Sequence, residues 1–169
     1  MVTNKDLQIN LVSKKYPKNI QDLIKRFRRP YPTGVDYIRR LDKEYDIIRD
    51  KGFVDTFQRV SDIIDLIKQK NIPHVLRGSA ASSLVCYQLG ISDIDPIKEK
   101  IPLTRFMNLC RDTQPDVDLD VPHWIRDLLI EEFHEKHPNK VARISNKVMY
   151  KPKSAMREAI RKFGHRKFL

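Results

Sequence analysis

Apolar residues recur every three or four positions through the first half of the chain, and this spacing predicts amphipathic helices. A basic helix is predicted over 18–29, before Pro30 and Pro32 interrupt the pattern. A second helix is predicted over 34–51, because a glycine suited to a helix C-terminus follows it, and a third over 53–70. The predicted core positions of the first two helices are Ile20, Leu23, Ile24, Phe27, Val35, Ile38, Leu41, Tyr45 and Ile48.

The second half of the chain alternates short apolar stretches with polar turns. Strand candidates are "HVL" at 74–76, "DVDLDV" at 116–121 and "KVARIS" at 140–145. The segment "RGSAASSLVCYQLG" at 77–90 places small residues before an apolar run, which predicts a loop leading into a buried helix. Two further helices are predicted, an amphipathic one and a basic one, over 123–138 and 154–164. This mixture indicates a helix-rich α/β (α+β) fold.

Composition indicates a soluble globular protein. The 169 residues are 40% hydrophobic and 33% charged, which suits one domain with a core, and no apolar run is long enough to span a membrane. The first ten residues contain no apolar signal-peptide core. Cys86 and Cys110 lack metal-ligand spacing, which favours two buried or half-buried thiols in a reducing compartment. We therefore expect a cytoplasmic protein with no membrane partner.

The charge is strongly positive and unevenly distributed. The formal net charge of +11 favours a polyanionic partner such as nucleic acid. Residues 143–169 contain nine Lys or Arg and one acid, whereas residues 112–136 contain eight Asp or Glu and two basic residues. This distribution fits a cation site beside a phosphate-binding track, and it fits two solvated surfaces equally well.

Three aspartates alternate with apolar residues in "PDVDLDV" at 115–121. Because strand side chains point alternately to opposite faces, Asp116, Asp118 and Asp120 are predicted to share one face. Carboxylates arranged in this way suit a divalent cation such as Mg²⁺, with substrate phosphates supplying further oxygens, and such metals support in-line attack at phosphorus. The alternative is an edge strand with a solvated acidic face.

The small residues of "RGSAASS" are candidates for binding phosphate. Gly78 permits close backbone approach, Ser79 is a candidate helix N-cap, and the helix behind it would offer free N–H groups to an anion. Arg77 stands directly before them. The alternative is a helix start whose small residues serve tight packing.

Three segments in order, "HVLRGSAASSLVCYQLGISDIDP", "TRFMN" and "PDVDLDV", resemble the palm of the bacterial DNA polymerase III alpha subunit, a C-family DNA polymerase. The resemblance runs from about residue 16 to the end. It implies a nucleotidyltransferase fold like that of polymerase beta, with a small mixed sheet flanked by helices. It also implies the following site: Asp116 and Asp118 as catalytic ligands of Mg²⁺ (or Mn²⁺), Gly78 and Ser79 as the nucleotide turn, Arg77 and Arg105 as triphosphate contacts, and Asp120 in support.

The resemblance divides the chain into three segments. They are a basic N-terminal helical segment (1–32), a palm-like domain (33–145) and a basic C-terminal helix that begins a thumb-like region (146–169). The C-terminal segment is predicted to contact the DNA backbone through Lys151, Lys153, Arg157, Arg161 and Lys162. Alternatively, this helix docks a missing polymerase segment or an acidic partner protein.

The sequence departs from the family at several positions. Leu76 and Ser82 stand where the family has glycine, and Val121 stands where it has phenylalanine, changes expected to stiffen or narrow the nucleotide turn. The family's third catalytic aspartate lies on a later palm strand beside a lysine, and no Lys-x-Asp motif follows Asp120.

These departures leave several functional hypotheses open. The leading one is a truncated or minimal polymerase palm that binds nucleoside triphosphate and DNA and transfers a nucleotide to a 3′-hydroxyl. It would act as part of a split enzyme, with other polymerase segments or replisome proteins, or as a small stand-alone nucleotidyltransferase. The alternatives are a non-catalytic DNA- or replisome-binding module and a fragment with no function of its own.

Overall fold

The computed structural model describes residues 15–110, 113–145, 147 and 149–163. The helices are α1 (Lys18–Lys25), α2 (Val35–Asp50), α3 (Val54–Gln69), α4 (Leu84–Gln88), α5 (His123–Lys136) and α6 (Pro152–Lys162). The strands are β1 (Val75–Arg77) and β2 (Asp118–Asp120). Two 3₁₀ helices complete the set and are named here the serine turn (Ser79–Ser82) and the Arg105 turn (Leu103–Arg105). The predicted helix-rich α/β class is confirmed at this level, while the three-segment division stays a prediction.

The chain forms two compact units, one ending at Arg126 and the other beginning at Asp127. The single sheet of the described residues has two antiparallel strands, so the expected mixed sheet is not found there. Short strands suffice because β1 and β2 need only one partner each and their inner face packs on the helices of the first unit.

The core of the first unit is formed by the predicted apolar stripes. All four predicted positions of the first helical segment are buried, and in α2 Leu41, Tyr45 and Ile48 are buried as well. Val35 and Ile38, at the start of α2, are 62% and 38% exposed and lie outside the core. In the first turn of α2 it is Tyr37, rather than the two predicted residues, that packs against the core.

Helix α4 is five residues long and lies in the core. An isolated helix of this length is not stable, so its ends must be held by other parts of the chain. At its N-terminus the Ser83 hydroxyl accepts a hydrogen bond from the amide of Cys86 at 3.1 Å. The carboxylate of Glu44, on α2, accepts from the amides of Leu84 at 2.8 Å and Val85 at 3.0 Å.

The opposite end of α4 is held by Arg28 and Arg29. Their backbone amides donate to the carbonyl of Gln88 at 2.9 and 3.3 Å, and their guanidinium groups donate to the carbonyls of Leu89 and Tyr87. Anionic groups favour a helix N-terminus and cationic groups its C-terminus, so both ends of α4 are complemented in charge. These two arginines of the predicted basic segment thus have a structural role.

The second half of the chain differs from its sequence pattern in two places. Helix α5 forms as predicted, but Leu129 is its only buried residue among those described, and Trp124 and Leu128 are 73% and 60% exposed. The predicted strand at 140–145 is irregular, and Ile144 is 96% exposed. The described residues of the second unit contain no strand, so residues 140–145 have no neighbouring strand there with which to form hydrogen bonds.

None of the described helices is both long enough and apolar enough to cross a membrane.

The two cysteines should differ sharply in reactivity. Burial raises the pKa of the Cys86 thiol to about 12, whereas Cys110 is exposed, which corrects the expectation that both are shielded. At pH 8 the Cys86 thiol is therefore protonated and enclosed. Because the thiolate is the nucleophile, we expect Cys86 to be unreactive in the folded chain. We expect a disulfide reagent to titrate one thiol per folded chain and two after unfolding. A Cys110→Ser variant should show no rapid reaction, and a rapid one would contradict the burial of Cys86.

Candidate nucleotide site

The two strands place their charged side chains, together with Val75, on the exposed face of the sheet and their leucines on the other face. The antiparallel register pairs Arg77 with Asp118, Leu76 with Leu119, and Val75 with Asp120. Leu76 and Leu119 pack against the core, whereas Arg77, Asp118 and Asp120 are exposed. The predicted alternation is therefore confirmed within β2. Asp116 is also exposed, but it lies before the strand begins.

Gly78 lies directly beside the carboxylate of Asp118. Its φ of +79° and ψ of −158° belong to a backbone region that is essentially restricted to glycine. A Cβ atom built at this position would lie 3.4 Å from Oδ2 of Asp118. The turn after β1 thus brings backbone without a side chain to the exposed sheet face that carries Asp118 and Asp120, called here the acidic face.

The serine turn follows Gly78 and is closed by its own side chain. The hydroxyl of Ser82 donates to the carbonyl oxygen of Ser79 at 2.7 Å. This hydrogen bond joins the two ends of the turn, and the expectation that Ser82 stiffens it stays a prediction. Leu76 does not narrow it, because its side chain points to the core.

Two details of the predicted phosphate site are wrong. The N-cap of the helix behind the turn is Ser83 rather than Ser79. The amides of Leu84 and Val85 donate to Glu44, so they are not free for an anion. A phosphate at this site would therefore have to be bound by the serine turn itself and by nearby arginines.

Arg77 is held over the acidic face by Asp120. Its Nε lies 2.5 Å from Oδ2 of Asp120, and this hydrogen bond, together with the charges of Asp120 and Asp118, raises the pKa of Arg77 above its usual value. Asp120 therefore orients the guanidinium, and its supporting role in the site stays a prediction. The side chain of Asp118 lies on the same face, opposite Arg77.

Arg105 is exposed at the end of a turn that is anchored in the core. Leu103, Phe106 and Met107 around it are buried, and Phe106 packs edge-to-face on Phe57 with ring centroids 6.3 Å apart. The Arg105 turn contacts the serine turn. The fold therefore brings together the two segments that the family resemblance assigned to the triphosphate.

The exposed carboxylates at and before β2 are the candidate ligands for the metal that the resemblance implies. Within the described residues no group of three or more His, Cys, Asp or Glu is arranged to hold an ion. Asp116 and Asp118 supply carboxylate oxygens, and Mg²⁺ commonly takes one or two carboxylates while substrate phosphates and water complete its shell. The residues fit such a shared site better than a preformed protein cage.

The predicted DNA-contacting residues lie in the second unit. Helix α6 has no buried residue, and Lys153, Arg157 and Arg161 lie four residues apart on one side of it. Arg161 also pairs with Glu158 at 3.1 Å. Lys151 and Lys162, at the two ends of the helix, are exposed too.

Sequence analysis missed Glu44 and Arg40. Glu44 is fully buried, and burial raises its pKa, opposed by hydrogen bonds from Val85, Leu84 and Ser83 and by the charge of Arg40. The available signal was a glutamate inside the apolar stripe of α2, four residues after an arginine.

Comparison with known proteins gives a consistent family. A model described as the bacterial DNA polymerase III alpha NTPase domain matches residues 9–168. An error-prone DNA polymerase of Cutibacterium acnes is 36% identical over 127 residues, which are 75% of this chain and 11% of the relative. The DNA polymerase III subunit alpha of Ureaplasma parvum is 44% identical over 132 residues, 76% of this chain and 13% of the relative. An error-prone DNA polymerase of Xanthomonas campestris pv. campestris is 30% identical over 150 residues, 88% of this chain and 14% of the relative. The chain thus spans between 11% and 14% of the length of these relatives.

Replacement of Gly78 tests the geometry of the turn. Gly78→Ala should lower the free energy of unfolding by about 1–3 kcal/mol, because alanine is strained in this backbone region. The new methyl group should also shift the NMR signal of the Asp118 carboxyl carbon, since it would lie 3.4 Å from Oδ2. Gly52→Ala is the matched control, because Gly52 has φ +68° with nothing within 4 Å. The control variant should lose stability without moving that signal. A Gly78→Ala variant as stable as the wild type would contradict the backbone conformation described for the turn.

Proposed function

This chain belongs to the family of bacterial DNA polymerase III alpha subunits, and we propose that its first unit is the opening segment of a nucleotidyltransferase-like polymerase palm. Its reaction would be metal-dependent transfer of a nucleotide from a nucleoside triphosphate to a 3′-hydroxyl of DNA. The observation that carries this proposal is the position of Asp118, on an exposed acidic strand face and next to the bare backbone of Gly78.

Each residue of the site would bind either the metal or the triphosphate. Asp116 and Asp118 would hold Mg²⁺ (or Mn²⁺), which when bound neutralises phosphate charge at the reacting centre. Gly78 and Ser79 would lie against the triphosphate, and Arg77 and Arg105 would pair with its oxygens. In the reaction the 3′-oxygen forms a bond to the α-phosphorus, the bond to pyrophosphate breaks, and the hydroxyl proton passes to solvent.

Complete polymerase activity would require more than this segment. The relatives are several times longer than the chain, so a third carboxylate and the surfaces that grip template and primer would come from other polymerase segments. Replisome proteins are further candidate partners, and the cytoplasm, where bacterial DNA is replicated, is the proposed location.

A second candidate function is a DNA-binding module without catalysis. The observation that favours it is helix α6, which exposes Lys153, Arg157 and Arg161 on one side and buries none of its residues. Cations arranged in this way bind phosphates independently of base sequence and of metal. The two candidates differ in their response to Mg²⁺ and to the acidic face.

Neutralisation of Asp118 tests the first candidate. The wild type should bind a deoxynucleoside triphosphate with Mg²⁺, measured by fluorescence of a labelled nucleotide, and Asp118→Asn should weaken that binding about tenfold or more because a charged ligand of the metal is lost. Primer extension, where the wild type supports it, should be lost in the same variant.

The matched control is Asp36→Asn, which removes an exposed carboxylate from the first turn of α2 and should change nothing. Nucleotide binding that is absent from the wild type, or equal in Asp118→Asn, would reject the nucleotide site.

Neutralisation of the basic side of α6 tests DNA binding. A variant with Lys153, Arg157 and Arg161 all changed to Gln should bind duplex DNA more weakly. Its plot of log affinity against log salt should be shallower by about one for each DNA phosphate that the variant no longer neutralises. The charge-matched control changes three exposed lysines of the first unit, Lys43, Lys98 and Lys100, to Gln. Equal weakening in both variants would show that DNA binding depends on the net charge of the chain rather than on α6, and it would contradict the prediction.

A further inference from the structure

We propose that the ion pair of Arg40 and Glu44 is the positioning element of the nucleotide site, which fixes the serine turn relative to the Arg105 turn. The described contacts of both residues are with each other, with the start of α4 and with the two turns, so their action on a ligand would be indirect. The inference rests on the proposed function for its meaning, but its structural content can be measured without nucleotide.

The guanidinium of Arg40 connects the two turns. Its Nη2 donates to the carbonyl oxygen of Ser82 at 2.5 Å and to that of Ile101 at 3.2 Å. Ser82 ends the serine turn, and Ile101 lies two residues before the Arg105 turn begins. A single planar group therefore sets the spacing between the segment that carries Ser79 and the segment that carries Arg105.

Glu44 holds Arg40 in this position. Its Oε1 accepts from Arg40 Nε at 2.9 Å and from the Leu84 amide at 2.8 Å. Its Oε2 accepts from the Ser83 hydroxyl at 2.7 Å and from the Val85 amide at 3.0 Å. The carboxylate is fully buried and the Arg40 side chain is 14% exposed, so each charge depends on the other for compensation.

The serine turn connects the contact made by Arg40 to Gly78. The hydroxyl of Ser82 donates to the carbonyl of Ser79, and Ser79 directly follows the glycine that lies against Asp118. Displacement of the Ser82 carbonyl would therefore loosen both ends of the turn. Lysine cannot replace Arg40 here, because a point charge lacks the fork that bonds a carboxylate and two carbonyls together.

Hydrogen exchange of Arg40→Lys tests the proposal, because this variant keeps the charge opposite Glu44 and should stay folded. Amides of the serine turn and of Ile101 and Arg105 should exchange about tenfold faster, while α1 and α3 keep their protection. Arg39→Lys, the exposed neighbour, is the matched control and should exchange like the wild type.

Three outcomes of the exchange experiment would overturn the inference. These are unchanged exchange in both turns, faster exchange in one turn only, and faster exchange throughout α1 and α3. The last result would make the pair a general determinant of stability rather than a positioning element.

Titration with a labelled deoxynucleoside triphosphate and Mg²⁺ separates this inference from the proposed function. Arg40→Lys should weaken binding about tenfold without altering the metal preference, and Arg39→Lys should not. A wild type that binds no nucleotide would reject the proposed function, while the exchange result would still decide whether Arg40 links the turns. Normal binding by Arg40→Lys, with both turns loosened, would overturn the role in positioning.

Discussion

The buried carboxylate of Glu44 is the constraint on which the positions of α4 and of the two turns beside it depend. Four donors converge on it from α2 and from the start of α4. A charge in the core is costly unless it is paired and hydrogen-bonded, so these donors cannot move far without a large loss of stability. Arg28 and Arg29 hold the other end of α4. A helix too short to form alone is thereby fixed at both ends by groups that complement its dipole.

The candidate site follows this fixed helix end in the fold, but it is itself exposed. The serine turn and Gly78 extend from the fixed end of α4 to the sheet, whose two strands contribute three residues each. One sheet face packs on the core, and the other carries Arg77, Asp118 and Asp120 into solvent. Burial therefore orders the backbone of the turn, while the chemistry remains accessible to a ligand. An arrangement of this kind is expected where binding groups need precision without being enclosed.

Local patterns in the sequence predicted the parts of the fold that local physics decides. Helical spacing located the buried faces of α1 and α2, and the alternation around Asp118 located the acidic strand face. Three features were missed because they depend on distant residues. Glu44 has its role only because α4 lies against α2. The strand register depends on which sheet face packs on the core. Arg28 and Arg29 look like part of an exposed basic run in the sequence, and their role appears only once the position of α4 is known. At 140–145 the apolar residues suggested a strand, but strand formation also needs a partner.

The central claim is that Asp118 and the adjacent turn form one binding site for a metal and a nucleotide. Titration calorimetry of Mn²⁺ binding, with and without a non-hydrolysable deoxynucleoside triphosphate analogue, tests it most directly. If the two ligands share the site, each must raise the affinity for the other by the same factor. We predict weak Mn²⁺ binding alone and clearly tighter binding with the nucleotide present, beyond what the free metal–nucleotide complex accounts for. Affinities that do not depend on each other would contradict the claim.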